Sequence, residues 1–188
     1  MPVQDWMTKD PVTVAPDTTL LEALGLMERS KVRRFPVVEG DLLVGIVTKS
    51  DIQAALGPID RYSKHPDMGR RRVDEFMTKD PVTTTPGEPV ESAALAMLEK
   101  RVSGLPVVEK GKVVGIITES DIFRALIEIT GVKEKGATVS FTVDKPEELL
   151  DQVKKRIGRL VIQSLVTWHD ASDKSWRVFV RLRGRKKE

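Results

Sequence analysis

Residues Met7 to Ile52 recur at Met77 to Ile122 with 22 identities in 46 positions and no insertion. MTKDPVTVAP returns as MTKDPVTTTP, FPVVE as LPVVE and GIVTKSD as GIITESD, each 70 positions on. An unbroken repeat of this size is one supersecondary unit written twice. A single copy buries too little surface to stand alone. The two copies are therefore expected to pack on each other, sheet against sheet.

Each copy reads as β-α-β-β-α. After the MTKDP turn, Val12 to Val14 reads as a short strand. Thr18 or Thr19 can cap a helix in which Leu20, Leu21, Leu24 and Met27 recur at helical spacing. Pro36 to Glu39 and Leu42 to Thr48 then form a hairpin about Gly40-Asp41. A final helix from Asp51 to Leu56 stops at Gly57-Pro58. Pro58 to Arg72 is polar, basic and rich in turn formers, which predicts a linker, mobile in part.

The 188-residue chain is 40% hydrophobic and 31% charged, with a net charge of +3. It holds no run approaching the roughly 18 apolar residues of a membrane span. The start, MPVQDWMTKDP, lacks the apolar core of a signal peptide, so a cytoplasmic location is expected. No cysteine is present, which excludes disulfides, thiolate zinc sites and cysteine nucleophiles. His65 and His169 lie far apart and read as ordinary imidazoles. No metal site, catalytic triad or acid/base pair stands out, so a non-enzyme is expected. The charge balance is too weakly basic to make nucleic acid the expected partner.

The repeated Thr-x-x-Asp, Thr48 with Asp51 and Thr118 with Asp121, has two readings. As a capping box, the hydroxyl accepts from a free N–H of the first turn while the carboxylate faces the positive helix end. As a pocket wall, the same junction can receive a phosphate, and the aspartate can accept from ribose hydroxyls. The residues alone support both.

The duplicated unit, with its MTxxP opening, PVV strand and Gly-h-h-Thr-x-x-Asp close (h apolar), resembles a tandem pair of CBS domains. The resemblance covers roughly residues 1–130. It implies an adenosine-type ligand, such as AMP, ADP, ATP or S-adenosylmethionine, in two related clefts. The first would use Thr48 and Asp51 with Arg33 and Arg34, joined by Thr85, Val102 and Ser103 of the second copy. The second would use Thr118 and Asp121 with Ser103 and Gly104, plus Ala15 and Val32 of the first. Because the first copy writes Arg33-Arg34 where the second writes Ser103-Gly104, the Thr48/Asp51/Arg34 cleft is expected to prefer phosphorylated ligands.

Beyond the repeat, Ala137 to Val143 alternates as a strand. Asp144 is expected to cap a helix carrying Pro146 in its first turn, with Leu149, Leu150, Val153 and Ile157 as its apolar face. Leu160 to His169 and Ser175 to Leu182 read as strands. This β-α-β-β order resembles an incomplete ACT domain, and the whole resembles AcuB-type acetoin-utilisation proteins. Glu147 stands where such domains often carry glycine, so no amino-acid site is expected. The open sheet edge favours pairing with a second subunit. The basic tail Arg177 to Glu188 reads as a solvated edge whose charges oppose aggregation, with acidic lipid, nucleic acid or an acidic partner as its other use.

The expected fold is thus α+β. CBS repeat 1 spans 1–57, a linker 58–72, CBS repeat 2 73–131 and an ACT-like domain 132–188. The expected function is a homodimeric regulatory protein that senses an adenosine-type ligand and signals to a partner. A ligand-free scaffold is the alternative.

Overall fold

A computed structural model describes residues 1–57, 66–172 and 174–183. The chain divides into two compact units, Met1–Ile122 and Phe123–Glu188.

In the first unit, each repeat supplies a two-residue strand, a helix, a hairpin and a second helix. Repeat 1 contains β1 (Thr8–Lys9), α1 (Leu20–Ser30), β2 (Arg34–Glu39), β3 (Leu42–Thr48) and α2 (Lys49–Leu56). Repeat 2 contains β4 (Thr78–Lys79), α3 (Val90–Lys100), β5 (Gly104–Glu109), β6 (Lys112–Thr118) and the start of α4 (Glu119–Thr130). Thr19 caps α1 in a full capping box with Glu22, which satisfies two of the free N–H groups at that helix end. Both hairpins carry a bulge at the same place, between Val37 and Val38 and between Val107 and Val108.

Two expectations need correction here. Val12 to Val14 does not form a strand: only Val14 makes a bridge, parallel to Val37. Pro11 and Pro16 lie on either side of this run and lack the N–H a ladder needs, which shortens the stretch that can pair. The strand falls instead within the supposed turn. There Thr8 and Lys9 pair with Ile116 and Gly115 of the other repeat, and Thr78 and Lys79 pair with Ile46 and Gly45. The copies are therefore stitched by backbone hydrogen bonds into one six-stranded sheet, closed by a Leu42–Lys112 bridge.

The exchange extends to the cores. The Val3 N–H donates to Glu88 and the Val90 N–H to Met1, while Val73 donates to Thr18 and Leu20 to Arg71. Val73 is fully buried in a cluster with Leu20, Met27, Phe35, Val37, Val47 and Ile52. Each repeat thus seats the lead-in segment of the other. Of the stretch expected as a linker, residues 58–65 lie outside the described residues. Pro66–Arg70 forms a 3-10 turn, and Arg72 bridges to Thr19, so this part serves the start of α1.

The second unit holds a sheet in the order β7 (Gly136–Val143), β9 (Ser175–Arg183), β8 (Ile162–Asp170), all antiparallel. Helix α5 (Leu149–Ile157) buries Val153 and Ile157 against Val143, Val178, Val180 and Leu182. Asp144 is not its cap. A 3-10 turn, Pro146–Glu148, precedes α5, and the residue at its cap, Glu148, makes no side-chain cap bond. Of the expected apolar face, Leu149 packs on the core, whereas Leu150 is 61% exposed. Among the described residues of the basic tail, Arg177 pairs with Asp170 at 3.2 Å, and Arg181 donates to the Val132 and Glu134 carbonyls. Residues 184–188 lie outside the described residues.

No helix among the described residues is long and apolar enough to cross a membrane.

Candidate functional site

Both Thr-x-x-Asp motifs lie where a hairpin strand turns into a helix. Thr48 is the N-cap of α2, with a capping box closed by Asp51. The Thr48 N–H and hydroxyl both donate to Asp51 Oδ2 at 2.8 Å, and the Asp51 N–H donates back to Thr48 Oγ1 at 3.2 Å. In repeat 2, the Thr118 N–H and hydroxyl donate to Asp121 Oδ2 at 2.8 and 2.7 Å. The box at Thr48 is thus closed in both directions, and Thr118 makes the same two bonds to its aspartate. These bonds occupy one carboxylate oxygen of each aspartate.

The two copies differ in exposure. Asp51 is half-buried, whereas Asp121 is only 3% exposed and holds a further interaction. They differ in charge too, since the residue after the threonine is Lys49 in one and Glu119 in the other. Sequence reasoning passed over this pair, although the alignment of the repeats displays it. Lys49 lies 3.7 Å from Glu28.

The residues ahead of each hairpin are anchored in parallel ways. The Arg33 carbonyl accepts from the Lys49 N–H at 2.8 Å, and the Ser103 carbonyl from the Glu119 N–H at 3.3 Å. Val32 and Val102 each donate to the carbonyl of the methionine five residues earlier, Met27 and Met97, at 3.0 Å. These bonds hold the chain before the hairpin against the start of the following helix in each repeat. Ala15 and Thr85 are exposed, on the segments whose preceding residues, Val14 and Thr84, bridge to Val37 and Val107. Thr84 itself is buried and donates to Glu88 Oε2.

Arg34 reaches across the repeats, to Ser103 with which the expected first cleft groups it. Its backbone pairs with Thr48, yet its guanidinium turns to the other repeat. Nη2 donates to Ser103 Oγ at 2.7 Å, and Nη1 lies so close to Gly104 that a Cβ there would clash. Burial pushes the guanidinium below its ordinary value, the Glu119 carboxylate pulls it back up, and Arg33 adds to the lowering. Gly104 therefore serves as a seat for Arg34, a role its place in the sequence did not announce.

This doubled β-α-β-β-α architecture, with its paired capped junctions, coincides with a family match over residues 3–57 and 73–128. The chain belongs to the CBS domain family. It is 31% identical to the CBS domain pair of protein MJ0100, solved in complex with 5′-methylthioadenosine and S-adenosyl-L-methionine, with a TM-score of 0.59 over 71% of this chain and 98% of that one. CBSX2 in complex with AMP is 29% identical, with a TM-score of 0.60 over 68% and 97%. A Vibrio cholerae protein assigned to acetoin utilization (AcuB) is 31% identical, with a TM-score of 0.61 over 71% and 95%. Among curated proteins, an inosine-5'-monophosphate dehydrogenase of Korarchaeum cryptofilum is 31% identical over 158 residues. The chain covers 80% of itself in that match but only 31% of the enzyme, and 22% and 24% of two other enzymes that it resembles. CBS pairs thus occur both by themselves and as parts of larger enzymes.

Proposed function

We propose that this CBS pair is a regulatory, ligand-sensing module that binds an adenosine-type molecule between its repeats and conveys its occupancy to a partner. AMP, ADP, ATP and S-adenosylmethionine are the candidate ligands. The observation that carries this reading is the matched pair of strand-to-helix junctions, Thr48 with Asp51 and Thr118 with Asp121. They lie in a fold whose relatives were solved with AMP, 5′-methylthioadenosine and S-adenosylmethionine. Each aspartate uses Oδ2 in its capping bonds with the threonine. The second oxygen of Asp51, which makes no hydrogen bond to a described residue, is available to a ribose hydroxyl. The residues leading into each hairpin, Val32 to Arg34 and Val102 to Gly104, with the exposed Ala15 and Thr85, are the proposed lining of the clefts at these junctions.

The remaining parts fit a subunit that works through others. Leu95 and Leu98 are 54% and 77% exposed one turn apart on α3, an apolar stripe suited to a homodimer contact. The three-stranded sheet of β7, β8 and β9 with α5 is proposed as an incomplete ACT-like domain. Its edge strands give a second subunit a place to pair. Likeness to AcuB makes acetoin utilisation the setting to test first. We assign the repeats to residues 1–57 and 73–131, with the ACT-like domain at 132–188.

The test is thermal unfolding with AMP, ADP, ATP and S-adenosylmethionine, on the native chain and on Asp51→Ala and Asp121→Ala. A ligand at 100 times its dissociation constant stabilises by about 2.7 kcal/mol, or roughly 5–10 °C for a chain of this size. A rise abolished by an aspartate substitution supports the reading. If no ligand shifts the midpoint while both variants melt earlier, the aspartates are caps only and the protein is a scaffold.

A further inference from the structure

The net charge of +3 is shared unevenly. Residues 1–122 hold 16 lysines and arginines against 19 acids, a net −3, whereas residues 123–188 hold 15 against 9, a net +6. Averaging over the whole chain hides a basic second unit, and asymmetry of this kind points to nucleic acid or a membrane surface. The expected solvated edge does not explain it. Charges that keep a sheet from aggregating belong on its edge strands, but β9 is the middle strand. The edge strand β7 carries no charged residue, and β8 carries none before Asp170.

Side chains alternate along β9, so Val178, Val180 and Leu182 face α5 and the core, while Arg177, Phe179, Arg181 and Arg183 face the other way. Their ladder partners share that second face: Thr142 and Trp168 flank Arg177, and Ser140 and Val166 flank Phe179. One end is strapped by the chain itself. There Arg181 donates to the Val132 and Glu134 carbonyls, and Ser164 Oγ to the Thr130 carbonyl at 2.9 Å. Toward the other end Trp168 is 51% exposed, Ser140 and Thr142 are exposed, and Phe179 is half-buried. Asp170 holds the Arg177 guanidinium at 3.2 Å. We infer that this face of the second unit binds single-stranded nucleic acid, with Trp168 and Phe179 stacking on bases and Arg177 meeting a phosphate.

Aromatic rings on an open sheet face suit unpaired bases, because every base has a face that stacks and a duplex keeps those faces to itself. The hydroxyls of Ser140 and Thr142 can donate to phosphate or sugar oxygens and accept from base edges. Exposed Lys135 and Arg183 stand at the strapped end, so cations bracket the face. A phosphate at Arg177 competes with Asp170, and the planar guanidinium can bond both. A lipid surface fits less well. Membrane-surface binding needs apolar area to bury beside the charge. Of the exposed large apolar side chains on these strands, Ile162 and Leu165 lie on the α5 face, and Trp168 alone lies on this one. The inference concerns the second unit and stands whether or not the CBS repeats bind adenosine.

The test is fluorescence anisotropy of a labelled oligothymidylate of about twelve nucleotides, titrated with the full chain at several salt concentrations. Oligothymidylate contains no adenine, which keeps this readout apart from the CBS clefts. Binding is expected that weakens with salt and exceeds binding to a duplex of the same length. Trp168→Ala should weaken it roughly tenfold, within the range of one lost stack, and Trp168→Phe should restore most of the loss. Arg177→Gln should weaken it and make the logarithmic salt slope shallower by about 0.7, the share of one phosphate contact. If Trp168→Ala unfolds early, quenching of the native tryptophan fluorescence by oligothymidylate, lost in Trp168→Phe, reads the same stack. Equal affinity for the duplex overturns the inference, as does unchanged affinity in Trp168→Ala or quenching that persists in Trp168→Phe. So does a double variant on α5, Lys154→Gln with Lys155→Gln, that weakens binding as much as Arg177→Gln, because binding then follows net charge and not this face. Binding to phosphatidylserine vesicles without binding to oligothymidylate assigns the charge to a membrane surface and overturns it too. No binding to either at low salt sinks it outright.

Discussion

The sulfur of Met7 lies against Gly115 so closely that a Cβ on the glycine would clash with it, and Met77 lies against Gly45 in the same way. Lys9 and Lys79 are the ladder partners of these glycines. The glycine of each Gly-h-h-Thr-x-x-Asp motif thus admits the methionine of the other repeat's MTKDP. The two ends of the repeated unit are written for each other, across copies.

Gly45→Ala and Gly115→Ala should each overpack this contact. The expected loss is about 1–3 kcal/mol, read as an earlier midpoint in urea with an unchanged slope. Native stability in both variants would mean that the flexible thioether moves aside without cost.

Thr48→Ala and Thr118→Ala remove the hydroxyls that bond to Asp51 and Asp121 at the helix starts. Each should cost about 1 kcal/mol, with the larger loss at Thr118. There the partner aspartate is 3% exposed and has less water to replace the lost bond. Equilibrium unfolding of both variants gives the comparison, and a larger loss at Thr48 would contradict the burial argument.

Lys112 Nζ donates to Asp41 Oδ2 at 2.8 Å and joins the two hairpins. The hydrogen bond to Lys112 and its charge hold the Asp41 carboxyl below its ordinary 3.8, and the same bond raises Lys112 above 10.5. A depressed acid stabilises fully above its unfolded value and loses this as pH falls through the folded one. A raised amine stabilises fully below its unfolded value and loses this as pH rises through the folded one. Asp41→Asn should therefore flatten the stability profile slightly below about pH 4 and above about pH 10. Both groups are exposed, so the effect is small and should fade in high salt. An undiminished difference at high salt would show that the pair does not act through its charge.

In the second unit, Ile157 is 6% exposed and Leu150 is 61% exposed. Ile157→Ala should cost about 2–5 kcal/mol, while Leu150→Ala should stay within about 0.5 kcal/mol. Circular dichroism melts of the two variants decide this. Equal losses would mean that Leu150 is covered, for instance by a second subunit.

Much of the fold was legible before any coordinates because it is local. The Thr19 cap, the Pro-Val-Val strands, the hairpin turns and the helix stop at Gly57 each depend on residues within about one turn of one another. The repeat carried them all into the second copy. The same local rules failed where a short element had to choose its neighbour. Val12 to Val14 has strand-forming side chains but is bracketed by prolines, and Asp144 had the residue type of a cap but not the helix start.

The sequence by itself determined that one unit is used twice, that it is β-α-β-β-α, and that Thr-x-x-Asp closes it. Only the tertiary structure decided that Met7 to Lys9 pairs with the far repeat, that Asp121 is buried while Asp51 is not, and that Arg34 points at Gly104. These depend on contacts between residues about 70 or more positions apart. Two near-identical segments offer the same local pattern to a partner in either copy, so only packing can choose between them.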